Sequence, residues 1–149
     1  MFAIREMTDA DLDNVLALRR DWLSRESETQ VSTEDEVRWF SGYCGNDRAC
    51  ALVATVTDAP VGYCLVSWQR HPTMTGTLAE IDEIHVARAW SRQGIGRQLI
   101  ERARKTLALK IGDLTAIRAR VDRQNEEAGA FWRALGFEHF LLEYTDYLD

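Results

Sequence analysis

Apolar residues recur along this chain at two spacings, the three-to-four step of a helix with one buried face and the short β-branched runs of strands. The clearest helix begins after Gly94. Ile95, Leu99, Ala103 and Leu107 fall four apart with Ile100 beside them, so one face is buried while Arg97, Glu101 and Arg104 turn to water. Near the N-terminus the pattern predicts a short strand from Phe2 to Arg5. A helix follows that Thr8 caps, with Asp9 and Asp11 in its first turn and Leu12, Val15 and Leu16 facing inward. A second helix is predicted from Thr33, where Thr33 and Glu36 have capping-box spacing and Val37 and Phe40 supply apolar contacts.

The middle of the chain reads as strands. Cys50 to Thr57 and Val61 to Trp68 are β-branched and apolar, and Asp58-Ala59-Pro60 between them marks a hairpin. Another strand runs from about Thr77 to Val86. Thr115 to Val121 alternates Ala116, Arg118 and Arg120 with Ile117, Ala119 and Val121, a strand with one covered face. Asn125 then caps a helix with Glu126 and Glu127 in its first turn, Phe131 and Leu135 on one face and Gly136 as its stop. The tail from Phe137 to Leu148 is expected to return as a strand or hairpin. Antiparallel strands preceding helices, without repeats or linkers, give one α/β domain of the α+β kind over residues 1–149.

Candidate chemistry begins where the strand ending at Val86 meets the helix starting near Gly94. Across Ser91-Arg92-Gln93-Gly94-Ile95-Gly96-Arg97-Gln98-Leu99 two glycines let the backbone turn sharply. Its N–H groups can then converge on one anion at the positive end of the helix dipole, as a pyrophosphate cradle requires. The dinucleotide fingerprint needs a third glycine, but that position is Leu99 and no parallel βαβ unit precedes it, which argues against a nicotinamide enzyme. About thirty residues on comes a second element, Asn125, Ala128, Phe131-Trp132 and Gly136-Phe137.

Together these segments resemble the GNAT acyltransferase superfamily, whose acetyl-CoA loop reads Q/R-x-x-G-x-G/A and whose later helix reads N-x-x-A-x-x-F-Y-x-x-x-G-F. The resemblance is strongest over residues 80–138. It departs from the pattern at Ser91, where the family has Gln or Arg, and at Trp132, where many relatives carry a tyrosine that protonates the departing thiolate. The resemblance implies a mixed, mostly antiparallel sheet of about six to seven strands with about four helices, splayed between the fourth and fifth strands. It implies acetyl-CoA as co-substrate, with the pantetheine arm along Ile84, His85 and Val86 as if it were another strand. The pyrophosphate would lie on Arg92, Gln93, Gly94, Ile95, Gly96, Arg97 and Gln98, with Asn125, Phe131 and Trp132 completing the cofactor site.

For transfer to an amine, the acceptor must first lose a proton, because an alkylammonium with a pKa near ~10.4 has no lone pair. Glu80 and Asp82 share a face of a regular strand, and relatives place a catalytic or water-orienting carboxylate at one or other of these positions. Glu83 points the other way unless a bulge intervenes. The backbone N–H near Val86 is the candidate oxyanion donor. Tyr144 and Tyr147 are candidate proton donors in place of the absent tyrosine, although a thiolate with a pKa near ~8.5 leaves tolerably without one. Acceptor choice is expected in the first two helices, the connection from Trp22 to Ser32 and the loop His71 to Gly76. Trp22, Glu26, Glu28, Trp39 and Tyr43 there could hold a cation, although core packing also accounts for the tryptophans. Arg120 stands where peptide-terminus acetylating relatives often have a glutamate, which disfavours that branch.

Composition narrows the field. A net charge of −6 argues against a nucleic-acid partner and leans towards a cationic acceptor. No apolar segment approaches the ~18 residues of a membrane span, and Met1 to Glu6 lack the features of a secretory signal, so a cytoplasmic location is expected. Three cysteines without a CxxC pair and three scattered histidines predict free thiols and no metal. The expected function is N-acetylation of a primary amine on a small molecule or peptide, with a homodimer compatible. The alternative is a non-catalytic acyl-CoA-binding module.

Overall fold

A computed structural model describes residues 1–26, 33–70, 75–121, 124–139, 145, 146 and 148. The elements run β1 (Ala3–Glu6), α1 (Leu12–Glu26), α2 (Thr33–Ser41), β2 (Ala49–Val56), β3 (Ala59–Arg70), β4 (Thr77–Val86), α3 (Ile95–Lys110), β5 (Leu114–Ala119) and α4 (Glu126–Ala134). Short 3-10 turns at Asp9–Asp11 and Arg88–Trp90 lead into α1 and the glycine loop. The five strands lie in sequence order, antiparallel except for the parallel pair β4–β5, whose connection crosses through α3. A parallel neighbour demands such a crossover, since a hairpin cannot reverse direction twice.

Alternation along the strands divides the core in two. Cys50, Leu52, Ala54, Cys64 and Val66 face a cluster under α3 and α4, which the helix buries through Ile95, Leu99, Ile100, Ala103 and Leu107. The intervening residues Ala49, Ala51, Val53, Tyr63 and Leu65 face Val15 and Leu16 of α1 and Phe40 of α2. The anchor of α1 is ionic: Arg5 donates two hydrogen bonds to Asp11 at 2.7 Å each, and Thr8 N–H donates to Asp11 Oδ2 at 2.8 Å. Thr8 thus starts the helical segment as expected. Glu36, read as the capping partner of Thr33, is only 4 % exposed, with Arg19 at 3.8 Å and Arg20 at 3.7 Å.

One turn and the number of strands differ from expectation. The β2–β3 turn falls at Thr57 and Asp58, both with positive φ (50° and 64°), earlier than Asp58-Ala59-Pro60. A bulge at Ala54/Thr55 accommodates Pro60, which lacks the ladder N–H, inside the pairing. Five strands are present among the described residues, rather than six to seven. Residues 137–139 carry no regular element, and most of the tail expected to pair lies outside the described residues.

Candidate active site

The sheet opens between its two parallel strands. β4 pairs with β5 from Thr77↔Leu114 to Ile81↔Ala119 and no further, whereas its pairing with β3 continues to Val86↔Gly62. At the parting point the β3 register slips, with Leu65 opposite Glu83 and Val66 opposite Ile81, so Asp82 is the extra residue of a bulge. Bulges add twist and re-aim side chains, and this one resets the alternation. Ala79 and Ile81 face the α3 cluster before it, and Ile84 and Val86 face it after. Glu80, Asp82, Glu83 and His85 therefore all turn towards α1 and α2.

The same phase decides the backbone. Ala87 N–H donates to Val61 O at 2.8 Å, so the antiparallel alternation turns the peptide groups of His85 towards β3 and those of Ile84 and Val86 towards the opening. This is the edge on which an extended molecule could pair.

The acidic residues of this face have different partners. Glu80 is clamped across the β4–β5 junction, with Arg118 Nη2 at 3.1 Å from one oxygen and Arg120 Nε at 3.2 Å from the other. Glu83 accepts from Tyr63 Oη at 2.6 Å and from Arg19 Nε at 3.0 Å. Asp82 is exposed, accepts from Tyr43 Oη at 2.7 Å and makes no ion pair among the described residues. Burial, reinforced by the adjacent carboxylate, pushes both tyrosine hydroxyls well above their ordinary range. Each therefore keeps its proton and serves as a donor. The ring of His85 stacks on Trp22 of α1 at 5.3 Å. Beside Glu80, Tyr43, Arg48, Trp68 and Gln69 line an open cavity of about 280 Å³.

The glycine turn lies past the end of β4. Arg92 (φ +61°) and Gly94 (φ +81°) reverse the chain, and a Cβ on Gly94 would meet nothing within 4 Å, so the space in front of it is open. The first N–H of α3 to close on the helix is Gln98 onto Gly94 O at 3.0 Å. Those of Ile95, Gly96 and Arg97 are left over at the positive end of the dipole, with no side-chain cap at Gly94. Gly96 has a second reason to be glycine. A Cβ there would approach Phe131 of α4 to 3.2 Å, so the residue lets α4 close on α3.

The structure thus gathers Glu80, Asp82, Ile84, Val86, Gly94 and Gly96 around the opening and its mouth, with Arg92, Gln93 and Arg97 exposed near it, whereas His85, expected beside them, turns its peptide groups to β3 and its ring to Trp22. Other expected residues are engaged elsewhere. Ile95 is 1 % exposed in the core, and Gln98 lies with Phe2, Ile4 and Lys105 in a surface cavity towards β1. Asn125 Oδ1 accepts from Ala128 N–H at 3.0 Å as the cap of α4. Trp132 is buried against Phe131 and Phe137 at 5.1 and 4.8 Å. Glu28, Tyr144, Tyr147 and residues 71–74 lie outside the described residues.

Arg19 and Tyr63 were not anticipated as partners of the site. For Arg19 a signal existed: it stands seven, four and three residues after Leu12, Val15 and Leu16, on the same helical face. Among the described residues no cluster of three or more potential metal ligands occurs, and no helix is long and apolar enough to cross a membrane.

Comparison with known proteins agrees with this architecture. The chain is 28% identical over 141 residues to the thialysine N-epsilon-acetyltransferase of Sus scrofa, covering 89% of this chain and 82% of the relative. An aminoglycoside acetyltransferase from an uncultured soil metagenomic sample, solved with sisomicin, superposes with a TM-score of 0.80 at 20% identity, over 99% of this chain and 97% of the other. An aminoglycoside N-acetyltransferase solved with CoA gives a TM-score of 0.82 at 18% identity, over 98% and 95%. The family model described as the acetyltransferase (GNAT) family matches residues 15–137, and the chain belongs to that family.

Proposed function

We propose that this protein transfers an acetyl group from acetyl-CoA to a primary amine of a small molecule or peptide, directly and within a ternary complex. The observation that carries the reading is the bulged opening, which sets the peptide groups of Ile84 and Val86, unpaired among the described residues, beside the exposed carboxylate of Asp82. The residues present fit coenzyme A. A strand edge free among the described residues suits the pantetheine amides, and the turn at Gly94 with the leftover N–H groups of Ile95, Gly96 and Arg97 suits a diphosphate. Arg92 and Arg97 add charge for the phosphates, and Gln93 and Phe131 border the same mouth. When bound, acetyl-CoA supplies an activated acyl group whose thiolate needs little help to leave.

The chain's own work is proton removal and charge stabilisation. Between the two carboxylates expected from the sequence, Asp82 is the better base. Glu80 is held between two guanidinium groups, which occupy both of its oxygens and fix it to β5. Asp82 has a single hydroxyl partner among the described residues and faces solvent, so it can accept a proton from an arriving ammonium directly or through water. Val86 N–H, turned into the opening, is placed for the carbonyl oxygen that gains negative charge during transfer. The solved relative with sisomicin and the thialysine relative support small-molecule amines as the acceptor class.

The test is thiol release from acetyl-CoA over a panel of polyamines, aminoglycosides, lysine analogues and peptides. Asp82→Asn should lower kcat by about 10²–10⁴, the usual worth of a positioned base. Glu80→Gln should lower it less. Coenzyme A binding without turnover of any acceptor would favour a non-catalytic acyl-CoA-binding module, and no binding would overturn both readings.

A further inference from the structure

The cavity beside Glu80 carries a charge opposite in sign to that of the whole chain. Ala49, Ser67 and Glu80 stand opposite one another across β2, β3 and β4 and form its floor. Tyr43, just past α2, is one wall, and its hydroxyl donates to Asp82 Oδ2 at 2.7 Å, so a single ring separates the cavity from that carboxylate. Of the described residues that line the cavity, only Glu80 and Arg48 are charged. Both oxygens of Glu80 are occupied from β5, by Arg118 at 3.1 Å and Arg120 at 3.2 Å, and Arg118 Nε is buried with no hydrogen-bond partner among the described residues. The acid is thus neutralised from behind, and the charge left to act inside the cavity is that of Arg48.

Arg48 is pinned by its backbone. Its N–H donates to Asn46 Oδ1 at 2.8 Å and its carbonyl accepts from Trp68 N–H at 2.9 Å, whereas the residue is exposed and its side chain makes no ion pair among the described residues. Asp47, next to it in the turn, does not line the cavity, and Asn46, Ser67 and Gln69 add only neutral hydrogen-bonding groups. A volume of about 280 Å³ lies at the lower limit of ligand pockets, roughly 300–1,000 Å³, and suits the tail of a small acceptor.

We propose that Arg48 is the specificity-determining residue of the acceptor site, and that the acceptor carries a carboxylate at the end remote from its amine. This rests on the reading of transfer to an amine at Asp82. Arg48 precedes β2 and Asp82 is on β4, so with β3 between them their backbones stand at least two strand spacings apart, roughly 10 Å. The α-amine of an amino acid lies too close to its own carboxylate to bridge that gap, so the accepting amine ends a chain of several bonds. A guanidinium offers paired N–H donors that match both oxygens of a carboxylate, and it repels a second ammonium. The preferred acceptor is therefore an amine with a distant carboxylate rather than a polyamine.

Three amines built on one six-carbon chain separate these classes: 6-aminohexanoate, hexylamine and hexane-1,6-diamine end in a negative, a neutral and a positive group. Their dissociation constants are read from amide shifts in NMR titrations of the protein saturated with coenzyme A, and their kcat/KM from thiol release with acetyl-CoA. The carboxylate compound should bind about five- to tenfold tighter than hexylamine, the worth of a charge-assisted contact with an exposed cation, and the diamine should bind most weakly. In Arg48→Met the advantage over hexylamine should vanish, and in Arg48→Lys, which keeps the charge without the fork, part of it should return. A purely structural role for Arg48 would weaken all three alike and leave their order intact. The proposal is overturned by a diamine that binds as tightly as 6-aminohexanoate, by an advantage that survives in Arg48→Met, or by no binding of any of the three. If the expected order of binding appears but no thiol is released with any of them, Arg48 stands as the seat of the carboxylate and the reading of amine transfer falls.

Discussion

Asp11→Asn offers a test of how the N-terminal end of α1 is held. The Arg5 guanidinium holds the Asp11 carboxyl at about 2, against an ordinary 3.8, with help from the Thr8 N–H and in opposition to burial. A depressed native value means that the unfolded chain takes up a proton first as pH falls. The stabilisation is complete above about pH 4 to 5 and is lost between 3.8 and about 2. The difference of 3.8 and about 2 corresponds to about 2.4 kcal/mol at most. The Arg5 side chain is 43 % exposed, so water screens the pair and about 1 to 1.5 kcal/mol is the expected share. Urea unfolding of wild type and Asp11→Asn at pH 7, 4, 3 and 2.5 reads it directly. The two midpoints should differ at pH 7 and converge as pH approaches the folded value. A difference that persists unchanged to the lowest pH would show that the shape of the hydrogen-bonded turn matters and its charge does not.

Two further outcomes follow from packing and from burial. Gly96→Val forces new methyl groups against Phe131, already 3.2 Å from an added Cβ, and should cost about 1–3 kcal/mol in urea unfolding. Combined with Phe131→Leu the loss should be smaller than the sum of the two single losses, and an undisturbed midpoint for Gly96→Val would refute the contact. Burial pushes the Cys50 thiol up to about 11 and the enclosed Cys64 thiol further, whereas Cys44 is only half-buried. Ionisation alone should slow labelling of Cys50 near pH 8 by about 100-fold relative to an ordinary thiol. Mass spectrometry should find Cys44 modified first, and equal rates at Cys44 and Cys50 would contradict the buried assignment.

How far the fold could be read in advance depended on whether a feature is local. The face of α3 is a property of its own spacing, so Ile95, Leu99, Ala103 and Leu107 were legible and are buried as expected. The N-cap at Asn125 and the stop at Gly136 (φ +88°) were legible for the same reason. The bulge at Asp82 was not, because it exists only in the pairing of β4 with β3, and strict alternation sends Glu83 to the wrong face. The separation of β4 from β5 came through family resemblance, since nothing in Thr77 to Val86 alone says where pairing ends. Spacing makes Glu36 a capping residue and does not single out Arg19 at all, because charge usually marks an outer face. Their burial depends on each other and on Glu83, a long-range balance that no window of sequence contains.

The central sheet divides the molecule into two chambers that share no buried side chain: one set of strand residues lies under α3 and α4, the alternate set under α1 and α2. Distant sites without common partners contribute additively to stability. The β-layer therefore works as insulation: mutational drift that recuts the wall carrying Trp39 and Tyr43 leaves the energetics around the glycine turn in place.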